Sequence, residues 1–340
     1  MPAAPVPAFT GRDLAAAAAV IVIWGLNFVA IKLGLRDFTP FQLGAARFLF
    51  SLLPLALWVR PPPIGIGWLA AYGLLQGAGQ FGFLFVALKV GMSAALSPLV
   101  MQMQVFVTAL LGALLLRERI ARPLKTGLLL AGAGLGCFAV GALMPAQAGA
   151  GAVTLAGLAL NLMAASMWAG SNIVVRRLQM RGVRYDALSL VVWGSAVSAA
   201  AFILASALFD DPAVRWSWTG ASPVAWLSVA YIGWGANVVA YWLWTSLLTR
   251  HPASRVAPFS LGVPVVGVLA GMLLLGERVD AWQWAGSALV MSALAFVLRG
   301  LGMPAQEAAE LARRPLPPIV APASRLTRSG SRRSPRPPTG

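Results

Sequence analysis

Apolar residues run through this chain in blocks about as long as a bilayer is thick, each closed by a charged residue or a Pro/Gly cluster. A helix crossing a hydrocarbon layer of roughly 30 Å needs about 20 predominantly apolar residues. Ten such blocks occur, at residues 14–33, 41–59, 65–88, 93–116, 124–143, 154–175, 187–209, 223–248, 256–275 and 281–298. The pattern predicts an all-α integral membrane protein of ten transmembrane helices joined by short loops. The first block follows Arg12 and continues through Trp24, Asn27 and Ile31 without a convincing cleavage site, so it reads as a retained helix and not a signal peptide.

The blocks repeat. LLLRERI from Leu114 returns as LLLGERV from Leu273, with Gly112 matching Gly271 and Gly127 matching Gly286. Pro98 is echoed by Pro258, and Trp24 with Asn27 by Trp168 with Asn172. Residues 14–143 and 154–298 therefore form two units of five spans. An N-terminal segment, 1–13, precedes them and a linker, 144–153, joins them. An odd number of spans per unit makes the second enter the membrane from the opposite side. Such an inverted repeat is a transporter architecture.

Composition and charge sharpen this reading. Of 340 residues 59% are hydrophobic and 11% charged, too few polar side chains to cover an apolar core in water. The formal charge of +16 raises nucleic acid as a partner, but that needs a basic face on a folded soluble domain. Here the basic residues lie between apolar blocks and in the tail, so no nucleic-acid partner is expected. With the N-terminus inside, Lys32, Arg36, Lys89, Arg215 and Arg278 alone fall outside, and nearly all others fall on inside connections or the tail. The positive-inside rule then places both termini in the cytoplasm. From residue 299 to 340 the composition turns to Pro, Arg and Ser, which predicts a disordered basic cytoplasmic tail, solvated or touching anionic membrane lipid.

Cys137 and His251 are the sole cysteine and histidine, so no disulfide, metal cluster or cofactor ligation is expected. An intramembrane enzyme would need a nucleophile, metal ligands or paired acids at membrane depth. None is apparent, and the chain does not read as an enzyme.

WGLNFVAIKLGL from Trp24, QFGFLFVALKVGM from Gln80, LVMQMQVF from Leu99 and APFSLGVPVVG from Ala257 carry a resemblance. The chain resembles the EamA branch of the drug/metabolite transporter superfamily over about residues 14–298; the basic tail is not part of the shared pattern. The resemblance implies paired five-helix EamA domains and a small-molecule substrate. It also implies efflux of amino acids or their metabolites by alternating access, with cysteine and O-acetylserine as the compounds indicated. A transporter exporting other small organic solutes or drugs is the alternative.

Candidate site residues follow from polar side chains inside the blocks. Arg47 is the one charged residue well within a span, where it could bind a substrate carboxylate or snorkel outward. Gln76 and Gln80 share one face of the third span, and Trp234, Asn237 and Tyr241 form a comparable stripe in the eighth. Amides donate and accept at every physiological pH, which suits a zwitterion. Gln80 and Asn237 are expected to meet the substrate near the bilayer midplane. Asn27 with Trp24 would approach from the outer side, and Asn172 with Trp168 from the inner. Gln102, on the Pro98 face, is preferred to Gln104. Pro98 and Pro258 are expected to bend their helices as gates. Gly73/Gly77, Gly132/Gly136 and Gly267/Gly271 allow close packing within the chain or a homodimer. Glu118 and Glu277, just beyond the fourth and ninth spans, are expected to cap or tie helices.

Overall fold

The computed structural model describes residues 9–117, 122–144, 153–251 and 253–301. Glu118, Arg119, nearly all of the 144–153 linker and the tail beyond residue 301 lie outside the described residues.

Every regular element among the described residues is helical. Helix α1 spans Gly11–Gly34 and α2 spans Pro40–Leu52. Both start on capping boxes: Thr10 with Asp13, and Thr39 with Gln42, each exchange side-chain and backbone hydrogen bonds. This satisfies N–H groups that would otherwise face the membrane edge without partners. The remaining helices are α3 (Ile66–Lys89), α4 (Ser97–Leu116), α5 (Arg122–Leu143), α6 (Leu155–Met180), α7 (Ala187–Phe209), α8 (Pro223–Leu248), α9 (Ala257–Leu275) and α10 (Ala281–Leu301).

Among the described residues, nine of these helices are long and apolar enough to cross a membrane; α2 is not. The second apolar block, 41–59, is α-helical only as far as Leu52, and a 3-10 turn at Leu55–Leu57 follows. Pro54 has no N–H to donate and its ring obstructs the preceding turn, so the helix stops. At 1.5 Å per residue, 13 residues reach about 20 Å, short of the roughly 30 Å hydrocarbon layer.

The repeat is legible in the irregularities. Both α3 and α8 widen to π-helix at their centres, over Gly73–Gly79 and Tyr231–Val239. Both α4 and α9 begin in tightened turns: Gln102 N donates to Leu99 O at 3.1 Å, and Ala257–Leu261 is a 3-10 segment. Pro98 and Pro258 each sit in the first turn of their segments. At Pro98 the missing N–H falls in a first turn, whereas the 3-10 segment that holds Pro258 directly follows the helical turn Ala253–Val256.

Helices pack across the two halves. α1 lies on α8 and α9, α6 on α3 and α4, α2 on α7, and α5 on α10. Exchanging the halves turns this set of pairs into itself. Glycines permit the approach: a Cβ on Gly77 would overlap the Ser198 hydroxyl, and one on Gly271 would lie 2.7 Å from Ala95 N. Gly132 and Gly136 face open space.

Two polar ties join the ends of helices from opposite halves. Glu277 follows the left-handed Gly276 that ends α9, and its carboxylate accepts from Ser93 Oγ at 2.7 Å, Ala94 N at 2.9 Å and Ala95 N at 2.7 Å. It thus caps the turn leading into α4, as an interhelical tie would. Near the start of α1, Asp13 Oδ1 lies 2.6 Å from Arg250 Nη1 and Oδ2 lies 3.1 Å from His251 Nε2.

Candidate functional site

Where α2 and α3 of the first half meet α7 and α8 of the second, the π-helical turns leave a cavity of about 40 Å³. A π turn carries more residues per turn than an α turn, so its side chains splay and its backbone bonds loosen. Gln76 and Asn237 lie within these two segments and both line the cavity. Tyr72, Tyr241, Ser195 and Ser198 complete its polar lining, and Phe48 and Phe81 form an aromatic wall.

The polar groups are unequally satisfied. Gln76 Oε1 accepts a short hydrogen bond from Ser171 of α6. Ser195 and Ser198 donate back to the carbonyls of Val191 and Gly194, four residues earlier on their own helix. Asn237 Nδ2 is enclosed and has no hydrogen-bond partner. Leaving such a donor unpaired costs about 1–3 kcal/mol, a cost that a ligand acceptor would remove.

Behind the aromatic wall is Arg47, 2% exposed. It does not snorkel. Its guanidinium carbon lies 3.8 Å from the Phe81 ring centre and 5.7 Å from that of Phe48, and Nη1 donates to Asn27 Oδ1 at 3.3 Å. Nε has no partner, and among the described residues no carboxylate pairs with it. Burying a cation costs about 2.5–3.5 kcal/mol on insertion scales, of which stacking on an aromatic face returns up to about 2. An anion would meet the remaining deficit.

The structure thus gathers part of the expected site. Asn237, Gln76 and Tyr241 line one cavity; Arg47 and Asn27 form a polar pair behind its wall. Gln80 is 4% exposed with Oε1 unpartnered, but it is not among the cavity-lining residues. Trp24 Nε1 donates to Ala236 O at 2.9 Å, bracing the π turn of α8. Trp168 packs against the hydrophobic core. Asn172 Nδ2 donates to Gln104 Oε1 at 3.0 Å and Thr108 Oγ1 at 3.1 Å. Gln104, not Gln102, therefore faces α6; Gln102 occupies the tight turn near the start of α4.

Tyr72, Ser195 and Ser198 were not among the expected residues. Tyr72 stands in the same frame as Tyr231 when Leu114 is laid on Leu273, a repeat signal that could have found it. The serines carry no such mark. Among the described residues no group of three or more metal-ligating side chains gathers. Amides, phenol hydroxyls and aromatic faces line the cavity from both halves, with a fixed cation behind the aromatic wall, an arrangement that can bind a small polar molecule.

Comparison with known proteins follows this geometry. The model of the EamA-like transporter family matches residues 13–140 and 155–299. The chain is 38% identical over 276 residues to a probable amino-acid metabolite efflux pump of Salmonella typhimurium, covering 81% of this chain and 91% of that one. It is 37% identical over 291 residues to a protein of the same description from Escherichia coli, covering 85% and 96%. A solved structure 22% identical aligns over 86% of this chain and all of its own, with a TM-score of 0.54, which speaks for the fold alone.

Proposed function

This chain belongs to the EamA-like transporter family, and from that premise we propose that it exports amino-acid metabolites across the inner membrane of a bacterium. The observation that carries the reading is the cavity shared by the two halves, with the unpaired amide of Asn237 in its wall. A ligand held there contacts both halves, so their relative movement can expose it to either side in turn.

In this reading α2 and the turns after it, including the 3-10 segment Leu55–Leu57, make the second of ten crossings, and the two five-span halves are inverted. The invariance of the helix pairs under exchange of halves supports a twofold relation between them, which an odd number of spans in each half turns into an inversion. Both termini are cytoplasmic, as the distribution of Lys and Arg favours. The cavity of about 40 Å³ admits water but not an amino acid, so substrate entry requires the halves to part. Pro98, which packs on Gly267 across the halves, and Pro258 at the start of α9 lie where such gating movement would occur.

The substrate is a zwitterion of the cysteine and O-acetylserine class. Its carboxylate is drawn to Arg47 and its ammonium to the amide and phenol oxygens. The aromatic wall of Phe48 and Phe81 also suits other small organic solutes, which is the second reading. Proteoliposomes preloaded with radiolabelled O-acetylserine or cysteine discriminate the two. Efflux above that of protein-free vesicles supports the first; efflux only of apolar solutes supports the second.

A further inference from the structure

A recess of about 420 Å³ opens where the C-terminal ends of α1, α3 and α9 meet. Lys32 and Arg36 enter it from α1 and the turn that follows, Lys89 from α3, and Glu277 from the end of α9. The Glu277 carboxylate, held by hydrogen bonds from Ser93, Ala94 and Ala95, offsets one of the three positive charges and leaves the recess net positive. Lys32 Nζ lies 3.9 Å from this carboxylate and donates to Met92 O at 2.9 Å. Lys89 Nζ donates to Leu35 O at 2.9 Å. An ammonium has three protons, so each lysine retains donors, and the Arg36 guanidinium forms no hydrogen bond among the described residues.

Basic residues are scarce on this face. Of the five expected there, Lys32, Arg36 and Lys89 converge on one recess, while Arg215 donates to Ala207 O elsewhere. Neutralising the three helix C-termini accounts for one bond from each lysine, and the charge nearest Arg36 in sequence is Asp37, whose carboxylate already accepts from Ser222 N at 2.8 Å. Exposed apolar residues adjoin the lining residues Leu275 and Lys89 in sequence: Leu273 is 79% exposed, Leu274 63% and Val90 44%. A ligand that fits has an anionic head beside apolar tails. We propose that this recess binds the phosphate of an anionic membrane phospholipid, with its acyl chains lying along the exposed leucines at the end of α9.

The proposal does not rest on what the chain exports, and its test reads lipid and not transport. The full-length protein, delipidated in mild detergent, is titrated with phosphatidylglycerol or phosphatidylcholine and followed by native mass spectrometry. Phosphatidylglycerol should bind the wild type at least tenfold more tightly than phosphatidylcholine. Arg36→Gln, which breaks no hydrogen bond, should weaken phosphatidylglycerol about fivefold, and R36Q/K89Q should remove the preference. Arg215→Gln, on the same face outside the recess, should retain it. Equal binding of the two lipids by the wild type, or an unchanged preference in R36Q/K89Q, overturns the site. Displacement by inorganic phosphate or by O-acetylserine at concentrations comparable to the lipid overturns the lipid assignment in favour of a soluble anion.

Discussion

Arg47 reaches back from α2 to donate to Asn27 of α1 at 3.3 Å, and this amide oxygen is its one hydrogen-bond acceptor among the described residues. A neutral amide satisfies one donor of the guanidinium without neutralising its charge. Arg47→Gln should therefore slow export of carboxylate-bearing substrates about 10- to 100-fold, the range of one charge-assisted hydrogen bond. Methyl esters of the same substrates should be affected far less. Paired efflux measurements in liposomes at matched protein level check this, and equal loss for acid and ester would assign Arg47 to the scaffold.

Glycine contacts make a second prediction, on stability. Gly77→Val forces a side chain into Ser198 of α7, whereas Gly132→Val meets nothing within 4 Å inside the chain. Overpacking typically costs about 1–3 kcal/mol, and here it separates helices from opposite halves. Gly77→Val should lower the melting temperature or abolish monodisperse expression, and Gly132→Val should leave the monomer's melting unchanged, as thermal scanning in detergent would record.

Much of this fold was legible because lipid imposes length and apolarity on each crossing. Nine of the ten predicted blocks are helices of spanning length and hydropathy, and the LLLxER repeat marks the equivalent ends of α4 and α9. The second block misled because Leu53 to Val59 is as apolar as a helix while Pro54 prevents one. The site was legible only in part. Asn237 and Gln76 stood out as amides among apolar residues, but the choice between Gln76 and Gln80 depends on how the π turn rotates α3, which no hydrophobic period encodes. Gln104 was passed over in favour of Gln102 because the tight turn at Gln102 was not visible in the sequence. Glu277 closes an interhelical tie, as its place just beyond a span suggests, while nothing in the apolar pattern marks Asp13, which closes a second tie between halves.

Glu277→Gln supplies a third prediction. The amide offers one acceptor oxygen and turns two donor hydrogens toward Ser93, Ala94 and Ala95, all of which donate to the native carboxylate. Loss of a buried charge-assisted network of this kind costs about 2–4 kcal/mol. The melting temperature should fall by several degrees, and Glu277→Asp should recover part of it if the tie is electrostatic. An unaltered melting curve for Glu277→Gln would mean that the tie contributes nothing to stability.

Topology is open to direct measurement. Reporter fusions that are active only in the periplasm should be silent at residue 301 and active after Val90, between α3 and α4. Periplasmic activity at the C-terminal fusion would mean either an odd number of crossings or both termini outside, and would contradict the assignment.

The most direct test of the central claim, that the cavity between the halves is the substrate site, is the ligand-induced shift in melting temperature of wild type and Asn237→Leu. Removing an orphan donor should leave the unliganded melting temperature unchanged or slightly higher, because the substitution also removes an unsatisfied buried group. Saturating O-acetylserine or cysteine should raise the melting temperature of the wild type and not that of the variant, with export by the variant reduced at least tenfold. An equal ligand-induced shift in both proteins, with export intact, would place the substrate elsewhere and contradict the account.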